Sequence, residues 1–472
     1  MPSNKQQAEK SQEIKTDTTA VKNLTDLLIN ITLLRQAKSA RANKLARRNR
    51  TSTLSKNMFG GIIGNVLEWY DFAVFGFLAP MIGKNFFPSD DPLDSLLGAF
   101  SVFAVAFLAR PAGGILFGYI GDQFGRKKAL QLSVMMMAVP TFLVGILPTH
   151  AEIGTLAPVL LILLRIVQGL SVGGELIGSI AFVAENAPPE QRGYFSSWTF
   201  SSCYAGMMLG SLSAVGLNCA LGPQAMADWG WRLPFLSGLL IGLVAVWMRK
   251  ELTETPIFEE MKAEGHLGGN PLSEALQLVS GSIFHAAMLV ILVGGGFYTL
   301  FIWWPTFLNT FVHPQMPYVP ALNTFSLMLL IVLIPITGRL SDEFGRKPLL
   351  VWSSAGMMLL SWPLFLLTSQ GGFVPVLVAQ LCFTALMGVF LGPIPATLVE
   401  MFPPRVRYSA LGLGYNISLC VFGGTAPLVA TWLIKHYHTV SAPALYLVIL
   451  SGLNLVAALA LPQAKRCSRG DG

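Results

Sequence analysis

Glu68 and Asp71 stand three residues apart in an apolar stretch, a spacing that puts both carboxyl groups on one face of a helix, with Asn65, Trp69 and Phe72 around them. Glu175 lies in another apolar stretch, preceded by Arg165 and Gln168, and Arg110 directly precedes Pro111 in a third. A charge at the middle of a lone membrane helix costs about 2.5–3.5 kcal/mol on insertion scales, so each of these groups needs a partner or a wet cavity. A carboxyl taken out of water holds its proton more tightly, which suits Glu68, Asp71 or Glu175 to carry a proton. An arginine binds a carboxylate through paired hydrogen bonds and stays charged when buried, which suits Arg110 or Arg165, with Gln168, to hold a solute carboxylate. The competing reading is a set of fixed ion pairs among the same residues. Tyr298, Phe301, Trp303 and Trp304 near Pro305, and Tyr415 with Asn416, offer aromatic and amide groups. Aromatic faces enclose a quaternary ammonium by cation–π attraction. Ordinary packing or an interfacial belt is the alternative, and Trp303 and Trp304 are expected near the outer interface.

Other chemistries find little support. No GxSxG, HExxH, CxxC or GxxxxGK[ST] pattern occurs, and the five cysteines show no paired spacing. A nucleophilic enzyme, a metal centre and direct ATP coupling are therefore not expected.

These residues must be positioned by membrane helices. The 472 residues are 53% hydrophobic and 12% charged, against roughly 25% charged in an average soluble domain. Twelve apolar stretches are long enough to cross a bilayer, at about 58–82, 94–120, 128–148, 156–186, 193–221, 232–250, 282–311, 321–341, 348–369, 373–402, 408–434 and 442–462. The odd-numbered connections hold only Lys84, Arg232 and Lys435, and Arg110 and Arg165 lie inside spans; the other 27 of the 32 Lys and Arg fall at the termini and even-numbered connections. Positive-inside then places both termini in the cytoplasm. The net charge of +7 reflects this topology rather than nucleic-acid binding. Residues 1–56 read as a basic extension, either flexible or with a basic amphipathic helix on the anionic leaflet. Residues 251–280 read as a cytoplasmic linker with one or two short helices, between halves at 57–250 and 281–462; 463–472 is a tail.

The halves repeat each other. GYIGDQFGRKKAL from Gly118 matches GRLSDEFGRKPLL from Gly338, shifted by 220, so Asp122 and Arg126 correspond to Asp342 and Arg346. Glu185, Pro188, Pro189 and Arg192 match Glu400, Pro403, Pro404 and Arg407, shifted by 215. Two coincident repeats imply duplicated six-helix units with a site between them. An acid beside a neighbouring helix N-terminus, and a base beside a carboxylate, are favourable contacts there. Gly169, Gly173, Gly174 and Gly178 form a small-residue face that lets another helix approach closely.

The GxxxDxxGRK loop, present twice, resembles the loop motif of the major facilitator superfamily. GNVLEWYDF (Gly64–Phe72), FLARPAGG (Phe107–Gly114), RIVQGLSVGGE (Arg165–Glu175), WGWRLPF (Trp229–Phe235) and ETPIFEE (Glu254–Glu260) are together similar to its metabolite:proton symporter family, and RYSALGLGYNIS (Arg407–Ser418) is most like the proline/betaine members. The resemblance implies an all-α membrane protein of twelve helices in two six-helix lobes. It implies a transporter in the inner membrane, driven by the proton-motive force without a cofactor. The expected solute is of the proline/glycine-betaine type, with 2-oxoglutarate, citrate or shikimate as alternatives and a transporter-like sensor as a remote one. It implies further that Gly118, Asp122, Arg126, Glu185, Arg192 and their counterparts Gly338, Asp342, Arg346, Glu400 and Arg407 lock a cytoplasmic gate. The chain stops at Gly472, without the long coiled-coil extension of the osmosensing members, so osmotic regulation is not expected.

Overall fold

Twelve helical segments stand at the twelve apolar stretches. The computed structural model describes residues 57–462 except 91, 251, 265–270 and 315–318. The N-terminal extension and the tail lie outside the described residues. The segments are α1 (Asn57–Phe77), α2 (Pro92–Phe124), α3 (Arg126–Ile146), α4 (Leu156–Asn186), α5 (Arg192–Ala225), α6 (Arg232–Lys250), α7 (Pro271–Thr310), α8 (Val319–Phe344), α9 (Arg346–Ser369), α10 (Phe373–Glu400), α11 (Arg407–Tyr437) and α12 (Pro443–Ala460). Ten of these are long and apolar enough to cross a membrane; α1 makes a span together with Ala79–Phe86, bent by 68°, and α12 is shorter.

The sequence repeats become backbone repeats. Gly125 and Gly345, of the two GRK triplets, precede α3 and α9 with φ of 107° and 92°, a region that a side chain disfavours. Pro188-Pro189 and Pro403-Pro404 each open a single 3₁₀ turn, Pro189–Gln191 and Pro404–Val406, that leads into α5 and α11.

Within the first half α2 packs on α4 and α3 on α6; within the second α9 packs on α12 and α7 on α11. The halves meet chiefly where α2 crosses α11 and α5 crosses α8. Glycines make those crossings close: a methyl on Gly118 would lie 2.7 Å from Ser409 Cα, and one on Gly338 would lie 2.6 Å from Ser197 Cβ. Among the described residues between α6 and α7, the linker forms the helix Pro256–Ala263, with the Thr255 hydroxyl capping Phe258 N–H at 3.3 Å.

Three residues stand where hydropathy alone did not put them. Trp303 and Trp304 are buried, Trp303 donating to Thr431 Oγ1 at 2.9 Å, so they pack the second half rather than form a belt. Arg249, counted above as a connection charge, is 0% exposed at the end of α6.

Candidate functional site between the halves

Glu68, Asp71 and Glu175 and the arginines Arg110, Arg165 and Arg249 are buried inside the first half, and the helices sort them. Asp71 of α1 pairs with Arg165 of α4 at 2.5 Å and also accepts from Thr141 Oγ1 at 2.9 Å and Gln168 Nε2 at 3.0 Å. The Arg165 guanidinium lies 3.7 Å from the Phe75 ring centre. Both Asp71 oxygens and the Gln168 amide nitrogen are thus committed inside the half. Glu175 pairs with Arg249, which also donates to the Gly60 carbonyl at 3.0 Å, and accepts from the Ser133 hydroxyl. Asn65 ties α1 to α4 and α5 through Ser179 Oγ at 3.0 Å and Ser202 Oγ at 3.2 Å.

Glu68 and Arg110 are left over. Neither carboxyl oxygen of Glu68, nor Nε or Nη2 of Arg110, has a hydrogen-bond partner among the described residues, although both side chains are 1% exposed. The two are electrostatic neighbours of each other and of Tyr298 and Tyr415 from the second half. The Arg110 guanidinium lies beside the Tyr298 hydroxyl, close enough for a side-chain hydrogen bond, and 5.4 Å from the Phe107 ring centre.

The two tyrosines belong to an aromatic enclosure. Trp69, Cys203 and Tyr204 of the first half and Phe297, Tyr298 and Tyr415 of the second line one small cavity. Phe297 lies 5.0 Å from Tyr204 and 6.2 Å from Trp69, with Phe301 stacked on it at 5.3 Å. Phe72 stacks edge-on with Phe107 at 5.5 Å, and Phe107 with Tyr298 at 5.7 Å. The space between the rings holds about one water, too little for an organic solute. Local backbone explains the placement: α7 widens into π turns at Leu292–Gly296 and Tyr298–Trp303, and α11 at Leu419–Gly423. Such turns are frequent at functional sites. They meet where a methyl on Gly294 would lie 3.0 Å from Gly423 N. Asn416 points elsewhere, donating to the Gly173 carbonyl of α4 at 2.8 Å.

The two repeated motifs lie together at one end of the bundle, the motif end, and interlock with approximate twofold symmetry. Asp122 accepts Tyr408 N–H at 3.2 Å and Ser409 N–H at 2.9 Å, the first turn of α11. Asp342 accepts Gly193 N–H and Tyr194 N–H, both at 2.8 Å, the first turn of α5. Arg126 pairs with Asp122 and Glu185, and Glu185 with Arg407 at 2.8 Å. Arg346 pairs with Asp342 and Glu400, and Glu400 with Arg192 at 3.8 Å. Each acid caps a helix of the opposite half, whose first N–H groups have no partner of their own. The copies differ in burial: Glu185 and Arg126 are 0% exposed, whereas the Glu400 side chain is 35% exposed. The linker causes the difference. Thr255 Oγ1 donates to Glu185 at 2.7 Å, and the Phe258 ring covers Arg126 at 5.5 Å. Glu254 accepts Arg126 N–H at 3.1 Å and Lys127 N–H at 3.2 Å, so it caps α3; burial pushes its carboxyl above the ordinary glutamate value.

Sequence reading missed Arg249, Thr141, Cys203, Tyr204 and Phe297. Arg249 beside Lys250 looks like a topological charge, and nothing local ties it to an acid 74 positions away. The run SSCYAG does carry a signal, since small residues at midspan mark close helix approach.

Two six-helix halves around a buried polar and aromatic site make a membrane transporter rather than an enzyme. A model of the Major Facilitator Superfamily matches residues 61–427 and again 321–470. The chain is 34% identical over 419 residues to the proline/betaine transporter of Salmonella typhimurium, covering 87% of this chain and 84% of that one. It is 35% identical over 415 residues to the glycine betaine/proline/ectoine/pipecolic acid transporter OusA of Dickeya dadantii, covering 86% and 83%. Its fold is similar to that of the proton:xylose symporter XylE bound to 6-bromo-6-deoxy-D-glucose, with a TM-score of 0.74 and 18% identity over 88% of this chain and 97% of that one. The inward-open conformation of XylE from E. coli gives a TM-score of 0.60 at 20% identity, over 88% and 98%. The chain belongs to the Major Facilitator Superfamily.

Proposed function

We propose that the protein imports a small zwitterion of the proline/glycine-betaine type by proton symport, exposing the central site alternately on the two sides of the inner membrane. One observation carries this reading. Asp71 pairs with Arg165 and Glu175 with Arg249, which leaves Glu68 and Arg110 outside these pairs and beside the aromatic enclosure. With a proton on Glu68 the site carries one positive charge, a match for one carboxylate. Arg110 and Tyr298 hold that carboxylate, and the faces of Trp69, Phe297 and Tyr415 receive the cationic end. Citrate or 2-oxoglutarate brings more negative charge than one arginine balances, and shikimate has no cation for the rings. The names of the similar transporters from Salmonella and Dickeya point to the same solutes.

The proton-motive force supplies the work, with no cofactor, ATP or nucleic acid. One charge moved through 100 mV yields roughly 2.3 kcal/mol, enough for roughly forty-fold accumulation at about 1.4 kcal/mol per tenfold. The positive-inside distribution puts the motif end and both termini in the cytoplasm. Residues 57–250 and 281–462 are then the rocking lobes, 251–280 the linker, and the Asp122 and Asp342 networks the closed inner gate.

The test is glycine-betaine uptake into proteoliposomes under an inward proton gradient. Uptake that collapses with protonophore supports the reading. No uptake of betaine or proline by correctly oriented protein overturns the solute class, and binding without any flux would make the protein a sensor.

A further inference from the structure

One buried side chain at the interface belongs to none of the ion pairs. Tyr408, in the first turn of α11, is 0% exposed and sits in a slot between α2 and α4. Its hydroxyl donates to the Gly174 carbonyl at 2.7 Å. Two glycines make the slot. A methyl on Gly121 would lie 2.6 Å from the ring's Cε2, and one on Gly178 would collide with the hydroxyl. Further along the same face of α11, a methyl on Gly412 would lie 2.8 Å from the Gly114 carbonyl oxygen, and Asn416 donates to the Gly173 carbonyl at 2.8 Å. Four-residue spacing thus seats one stripe of α11 on the opposite half. Gly174 directly precedes Glu175, and Tyr408 is an electrostatic neighbour of Glu175, Arg249 and Asp122. The ring therefore stands between the motif end and the buried charges.

We propose that Tyr408 is the stopper of the inner gate. Seated, it closes the cytoplasmic route to Glu175 and Glu68. Withdrawn with α11, it leaves a glycine-lined slot through which water reaches them. The inference rests on the alternating-access reading and adds to it a seal made by ring volume, separate from the lock made by charge.

Spin labels on cysteines introduced at Phe124 and Phe344 test it, in a background without the native cysteines. Both positions are exposed, 52% and 63%, at the motif ends of α2 and α8. The second readout is substrate-free proton leak into the same vesicles, followed with a trapped pH dye. Tyr408→Ala and Gly178→Ala should each lengthen the label distance and raise the leak several-fold, while Tyr408→Phe, which keeps the volume, stays near the parent. If both alanine variants keep the parent's distance and leak, the proposal fails, whatever happens to uptake. Neither readout uses a solute, so a wrong solute class would leave this test intact.

Discussion

Asp122 accepts the Ser409 backbone N–H at 2.9 Å, so an acid of the first half caps a helix of the second. Asp342 returns the contact to Tyr194 at 2.8 Å. Helix N-termini favour negative charge by about 0.3–1 kcal/mol at the surface and up to ~2 kcal/mol in partly buried geometries. A contact of that size can hold two lobes together and still be broken in each transport cycle.

The two copies of the lock should not be equivalent. Removing one partner of a buried pair costs about 3–5 kcal/mol, whereas a solvent-screened pair is worth roughly 0–1 kcal/mol. Glu185→Gln should therefore shift the Phe124–Phe344 label distance strongly toward the open gate, and Glu400→Gln only slightly. Equal shifts would show that burial does not set the strength of the lock.

Glu68→Gln should abolish proton-driven accumulation while keeping exchange of labelled for unlabelled betaine across the vesicle membrane. Accumulation that survives at the parent level would remove Glu68 from the coupling step.

Arg110→Ala should raise the KM for betaine at least tenfold, with a smaller change for Arg110→Lys, which keeps the charge but loses the planar fork. An unchanged KM in both variants would mean that the solute carboxylate binds elsewhere.

Asp71→Asn is expected to act on stability rather than on coupling. It leaves Arg165 buried against Phe75 with a neutral partner, a loss of about 3–5 kcal/mol. The thermal midpoint in detergent should fall, while whatever folds still accumulates solute. Loss of accumulation at a normal midpoint would contradict this.

Glu254 sets a pH dependence. Its folded-state carboxyl binds a proton more tightly than the unfolded one does, so stability should decline as pH rises through the window just above the ordinary glutamate value. Glu254→Gln, neutral throughout, should flatten that part of the profile. Midpoints recorded from pH 4 to 8 would check the sign, and a rise over that window would refute it.

What the sequence determines by itself are properties that add up locally. Hydropathy sets the twelve segments, since crossing about 30 Å of hydrocarbon takes about 20 apolar residues. The repeats at shifts of 220 and 215 foretell that the halves are alike, and Gly125 and Gly345 show why: both must adopt positive φ to turn one helix into the next. Membership of the superfamily is legible there too, because those turns and the flanking acids and arginines are contiguous in the chain. Tertiary structure alone decides which charges meet. Glu68 and Asp71 share a helix face and a composition, yet Asp71 is occupied by Arg165 and Glu68 is not. Arg249 resembles a loop charge in sequence and proves to be the partner of Glu175. The reason is geometric. A rotation of one helix by a single residue, about 100°, changes every partner on its face, and that rotation is fixed by packing summed over the bundle, by glycine crossings and by the π turns of α7 and α11, none of which is a property of any one segment.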